Sequence, residues 1–98
     1  MTEYNLPVHY HSLDWRKGEK KAVREQYIEE QAGKCFWCDE SLDGDPPEHI
    51  MNSKIKWGLF PKGFRDHPIH LQHDHGTGLT EGAVHMKCNA YMWQYEGK

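Results

Sequence analysis

The chain has 98 residues, of which 37% are hydrophobic, 28% charged and 12% aromatic; its mass is 11.6 kDa and its mean hydropathy is -0.95. That length fits one domain, and the apolar share is too small for a core of ordinary size, so another source of stability is expected. Four Trp, five Tyr and three Phe argue against disorder. No apolar run approaches a membrane span, and the N-terminal MTEYNLPVHYHSLDW lacks the basic head and apolar stretch of a signal peptide. A cytoplasmic protein with no membrane partner is the expectation.

Twelve Lys+Arg against fifteen Asp+Glu give a net charge of -3, which disfavours indiscriminate nucleic-acid binding. The basic residues are nevertheless grouped. Arg16, Lys17, Lys20, Lys21 and Arg24 face only Glu19, and Lys54, Lys56, Lys62 and Arg65 face no acid, whereas residues 25–48 carry eight acids against Lys34 alone. Such runs are as readily solvated faces as binding tracks.

In chain order, residues 1–15 show no periodicity and read as an extended arm. From Lys17 to Gln31 the pattern is helical, with Val23, Tyr27 and Ile28 on one face and Gly33 as the stop signal. Cys35-Phe-Trp-Cys38 follows on a turn. Residues 39–68 hold four of the five prolines and read as a long loop insertion with at most short pieces of structure. Ile69 to His73 and Leu79 to Val84 read as the strands of a hairpin, with Gly76 and Gly78 at its turn. Met86, Ala90 and Trp93 recur at helical spacing, and Gly97 closes a terminal helix.

Three cysteines cannot all pair within one chain. Cys35-x-x-Cys38 and His85-x-x-Cys88 share their internal spacing, which lets each pair converge on one ion, and three thiolates with one imidazole are a closed tetrahedral zinc set. The binding energy of structural zinc, on the order of 10 kcal/mol, is folding energy and answers the shortage of apolar core. The other reading of Cys-x-x-Cys, a redox motif, needs a thioredoxin-like context that this sequence lacks.

Five of the eight histidines fall between residues 67 and 85. His70, Gln72, His73, Asp74 and His75 lie at the strand end and turn of the expected hairpin. Asn89 follows the last zinc ligand and, one helical step on, faces another way. A histidine fixed beside oxygen ligands suits metal-assisted phosphodiester hydrolysis, in which an imidazole takes a proton from water and a cation stabilises the developing charge. The plainer readings are exposed loop histidines or additional zinc ligands.

The run from Gln72 to Asn89, with Gly33-Lys34-Cys35-x-x-Cys38 before it, resembles the HNH nucleases of the recombination endonuclease VII type, found in phages and bacteria. The matching positions are Gly33, Cys35, Cys38, His73, His75, Thr77, Gly78, Gly82, Cys88 and Asn89, and the resemblance covers about half the chain. It implies an α+β fold: a small zinc-stapled ββα-metal (HNH, His-Me finger) domain with a preceding helix (17–33), a knuckle (35–38), an insertion (39–68) and a core (69–95). It also implies a divalent-metal-dependent DNA endonuclease leaving 5′-phosphate and 3′-hydroxyl ends, in the host cytoplasm if phage-encoded.

Carried over by position, His73 matches the general base and Asn89 a residue that helps hold the catalytic cation. Cys35, Cys38, His85 and Cys88 match the zinc ligands, with His85 where the family commonly has Cys. Gln72 departs from the family, standing where an Asp binds the cation. A neutral amide holds Mg²⁺ more weakly, so His70 with Mn²⁺, Ni²⁺ or Zn²⁺, or Asp74, are alternative ligands, and reduced or lost activity is a further outcome. His75 matches the second histidine, with a phosphate contact or a supporting role.

For the nucleic acid, Lys54, Lys56, Trp57, Lys62 and Arg65 in the insertion, interleaved with Phe60 and Phe64, and Lys20 and Arg24 on the first helix, are the candidate contacts. The plainer reading of the insertion's aromatics is a small satellite core over the hairpin, and the two readings are compatible. Without a long helical extension, a monomer or weak homodimer and a nicking or general nuclease are expected. The alternatives are a zinc-stapled nucleic-acid-binding module with a weakened catalytic centre, and a small zinc protein that binds another protein through its aromatic insertion.

Overall fold

The computed structural model describes residues 3–97. It is a small α+β structure in which helix α1 (Glu19–Glu30) and helix α3 (Met86–Glu96) pack on a two-stranded antiparallel sheet of β1 (Ile69–His73) and β2 (Thr80–His85), with a one-turn helix α2 (Glu48–Met51) in the insertion. Single 3-10 turns occur at Tyr10–Ser12, Trp15–Lys17, Trp57–Leu59 and Phe64–Asp66. Among the described residues, no helix is long and apolar enough to cross a membrane.

Asp14 organises the entry to α1. Its carboxylate accepts the Arg16 N–H, while its own N–H donates to the Glu19 carboxylate at 2.6 Å. The helix presents Val23 and Tyr27 to the core, as their spacing requires, and leaves Ile28 half-buried. The exit is left-handed at two successive residues, Ala32 (φ 55°) and Gly33 (φ 75°), and the Gly33 N–H closes on the Ile28 carbonyl at 2.8 Å. Glycine adopts that conformation without the steric cost a Cβ brings, so Gly33 is the stop that the sequence indicates.

The hairpin carries an irregularity that matters for the site. Gln72 pairs with Gly82, but His73 pairs with Thr80, so Glu81 is an extra residue on β2. A regular strand would send Gln72 and His73 to opposite faces; a bulge re-aims side chains locally. At the turn, the Asp74 carboxylate accepts the N–H groups of Gly76 and Thr77 at 2.7 and 2.9 Å.

The arm is the main departure from expectation. It is not a free extension: the Tyr10 N–H donates to Gly78, the Thr80 N–H to Val8, and the Val8 N–H to the Thr80 hydroxyl, while His9 bridges Leu79. Tyr27, buried, exchanges a 2.8 Å hydrogen bond with the same Thr80 hydroxyl. At the other end of β2, Gln31 reads both backbone groups of Ala83, donating to its carbonyl and accepting its N–H, each at 2.9 Å.

Leu13, Val23, Tyr27, Leu42, Ile50, Ala83 and Val84 form the buried apolar core, and Cys35 and Cys88 are part of the same cluster. The core and the thiol cluster are therefore one body. Trp93 differs from its expected place on the apolar face of the terminal helix: it is 42% exposed, packed on the insertion rather than inside.

Candidate functional site

The four ligands read from the sequence come together. Cys35 and Cys38 sit on a tight loop in which the Cys35 N–H donates to Glu40 and the Asp39 N–H returns to Cys35, with Asp39 at φ 64°. The Phe36 N–H donates to Ala83 and fixes this loop against β2. His85 ends β2 and caps α3, and Cys88 lies in the first turn of that helix. All four donor atoms lie within 4.8 Å of one another, so this cluster can hold a metal ion.

The donor chemistry fits. An ion at about 2.3 Å from sulfur and about 2.0 Å from nitrogen in tetrahedral geometry sets S and N some 3.5 Å apart. His85 Nδ1 is 3.3 Å from Cys38 Sγ and 3.5 Å from Cys88 Sγ. The opposite nitrogen, Nε2, donates to the Ser41 carbonyl at 2.8 Å, which commits the proton to Nε2 and leaves Nδ1 to bind. Crowding splits the thiols: a hydrogen bond from Cys88 holds Cys35 far below the usual range, at about 4, while the same bond and burial push Cys88 up. A thiolate among buried thiols is the state that a cation stabilises.

A cavity of about 590 Å³ lies against the hairpin, and none of the four cluster residues lines it. His70, Gln72, His73 and His75 of the hairpin, Asn89 of α3, and Lys20 and Arg24 of α1 line it. The sequence-derived candidates His73 and Asn89 thus share one cavity, together with two of the seven proposed nucleic-acid contacts. Lys54, Lys56, Trp57, Lys62 and Arg65 are not among its lining residues. Lys54 and Lys56 instead use their backbone to bind Gln94 and Tyr95 of α3, and the Arg65 guanidinium lies over the Trp57 ring.

His70 is held at both nitrogens. Nε2 donates to the Phe64 carbonyl at 2.9 Å, so Nδ1 accepts from the Asn89 amide at 3.1 Å. Burial lowers its pKa, keeping the ring neutral. Gln72, 3% exposed, donates from Nε2 to the His73 carbonyl at 2.7 Å and to the Glu81 carboxylate at 3.3 Å. Asp74 spends its carboxylate on the turn and does not line the cavity.

His73 is covered by a residue the sequence did not single out. Tyr10 from the arm stacks on its ring with centroids 4.0 Å apart and planes within 7°, and Lys20 Nζ sits 4.2 Å from the other ring's centroid. His11 and His75 meet His73 edge-on at 5.3 and 4.9 Å. Burial first, then the charges of His75, His11 and Lys20, lower the His73 pKa to about 4, so the imidazole is neutral at pH 7. No signal in the arm's sequence marks Tyr10, because its role depends on where the arm docks.

Taken together, fold and cluster define a small α+β protein with a Cys3His cluster built into its core that can hold a metal ion. No protein-family model matches the chain, and no curated protein or solved structure is significantly similar to it.

Proposed function

We propose that this chain is a divalent-metal-dependent DNA endonuclease of the HNH type, in which a structural zinc at Cys35, Cys38, His85 and Cys88 holds the scaffold. The observation that carries this reading is the meeting of His73 and Asn89 in one cavity with Lys20 and Arg24. Asn89 follows Cys88 directly on α3, so the metal centre fixes its position. His73, neutral at pH 7, takes the proton from water as the hydroxide forms the new bond to phosphorus; the 3′ oxygen leaves and is protonated, giving 5′-phosphate and 3′-hydroxyl ends. Asn89 and Gln72 are the side chains that would offer amide oxygens to a divalent cation, which would supply charge stabilisation to the reacting phosphate. Lys20 and Arg24 neutralise the backbone phosphates.

A second reading, a zinc-stapled DNA-binding module with a weakened catalytic centre, is favoured by one specific feature. None of the residues lining the cavity carries a carboxylate, and hard cations are ordinarily held through at least one.

Nicking of supercoiled plasmid in separate Mg²⁺, Mn²⁺ and Ni²⁺ series, by wild type, His73→Ala and Gln72→Asp, tests both. The endonuclease reading expects cleavage by wild type that His73→Ala abolishes, and Mg²⁺-supported cleavage by Gln72→Asp at least about tenfold faster, since a carboxylate is restored. Cleavage equal in wild type and His73→Ala refutes it. Binding without cleavage, rescued by Gln72→Asp, selects the second reading.

A further inference from the structure

The cavity has two chemically different ends. At one, Lys20, Tyr10, His73 and His75 gather cationic and imidazole groups through the contacts already given. At the other, Phe60 meets Phe64 at 4.7 Å and Trp93 edge-on at 5.1 Å, and all three line the cavity with Leu59. Between them stands His70, edge-on to Phe64 at 4.6 Å and hydrogen-bonded to Asn89. Arg24 is close enough that its charge helps to lower the His70 pKa. The aromatic end is not sealed as a core would be: Leu59 is 59% exposed and Trp93 42%.

We propose that this cavity seats one unpaired nucleotide of a DNA strand, its phosphate against Lys20, Arg24 and His73 and its base against Phe60, Phe64 and Trp93. The inference deepens the nuclease reading and rests on it, naming the substrate class as single-stranded DNA. The volume of about 590 Å³ falls in the range of pockets that enclose a small ligand, about 300–1,000 Å³. A phosphate beside an apolar, ring-bearing body is the chemistry that complements a basic end joined to an aromatic one. A paired duplex keeps its bases stacked inside and offers nothing to the aromatic end; an unpaired strand does so without the cost of extruding a base. Stacking on aromatic faces also tolerates any base, so no sequence preference is required.

Equilibrium anisotropy with a fluorescein-labelled oligonucleotide, as single strand and as perfect duplex at one salt concentration, tests this on the full zinc-loaded chain without other divalent cations. The duplex has the higher charge density, so electrostatics alone favours it; the proposal expects the single strand to bind at least about tenfold more tightly, against that trend. Trp93→Ala is expected to weaken single-strand binding by about fivefold to a hundredfold, the span measured for loss of one stacked base. Trp93→Phe should recover most of it, and Trp15→Phe, at an exposed position outside the cavity, should change nothing. Leu59→Glu, at an exposed position, provides a second variant that brings charge to the base end and should abolish single-strand preference without touching the core. Duplex binding equal to or tighter than single-strand binding, or affinity unchanged in both Trp93→Ala and Leu59→Glu, overturns the proposal and leaves a duplex nuclease standing. Failure to bind either DNA overturns this proposal, and plasmid nicking that His73→Ala abolishes would still leave the nuclease reading standing.

Discussion

Removing the Tyr10 ring should bring His73 back towards an ordinary histidine. The stacked ring, 4.0 Å away and nearly parallel, shields one of the two imidazole faces from water. Burial is the largest cause of the depression from 6.5 to about 4. In Tyr10→Ala one face is rehydrated while the charges of His75 and His11 remain, so the titration midpoint should rise by about one, to the neighbourhood of 5. The arm itself should stay docked, because its tethers to Gly78 and Thr80 run through the backbone and the Thr80 hydroxyl, not through the Tyr10 side chain. Chemical shifts of the His73 ring followed by NMR against pH, with the resonance assigned by its loss in His73→Gln, give the midpoint directly. A midpoint unchanged in folded Tyr10→Ala refutes the shielding argument. The same shift has a signed effect on stability. The native pKa lies below the unfolded value near 6.5, so the stability that neutral His73 contributes is complete above 6.5 and declines as pH falls from there towards 4, where the native ring also protonates. Wild type should therefore lose stability in that window more steeply than Tyr10→Ala.

Two further outcomes concern the scaffold. Withdrawal of the ion by a chelator should unfold the chain in a single cooperative transition, and purified protein should contain one zinc per chain by elemental analysis; native circular dichroism unaffected by chelation would show that the cluster is not the structural centre. Gly82→Ala should destabilise by about 1–3 kcal/mol, as overpacking does, because the added Cβ would come 2.6 Å from the Gln31 amide oxygen and 2.9 Å from Phe36 Cβ. Thermal unfolding measures it, and an unchanged midpoint would mean that Gln31 and Phe36 yield freely.

What the sequence disclosed was what short-range chemistry encodes. Two ligand pairs with a two-residue gap can be recognised wherever they lie, because each pair converges by its own local geometry. Gly33 announces the end of α1, and the alternation of Ile69 to His73 with the turn residues after it announces the hairpin. The bulge at Glu81 carries no such mark, since an extra residue is defined only by the strand it faces. The arm was unreadable for the same reason: its conformation is set by Gly78, Leu79 and Thr80, some seventy residues on. Trp93 fits the spacing of an apolar helix face, but the insertion supplies Phe60 as its partner and keeps it near the surface. Of the two readings of the insertion's aromatics, mutual packing of Trp57, Phe60 and Phe64 is present, while Phe60 and Phe64 also line the cavity.

A sheet of only two strands leaves each of them with one side lacking a strand neighbour, and such sides invite pairing with other chains. On β2 that side is occupied residue by residue. Val8 takes the backbone of Thr80, the Gln31 amide binds both the N–H and the carbonyl of Ala83, and Phe36 adds a second donor to that carbonyl. A single glutamine side chain thus does for Ala83 what a third strand would do. Replacing it would leave the Ala83 N–H open directly beside the loop that carries Cys35 and Cys38, so Gln31 closes that edge against self-association as well as supporting the fold.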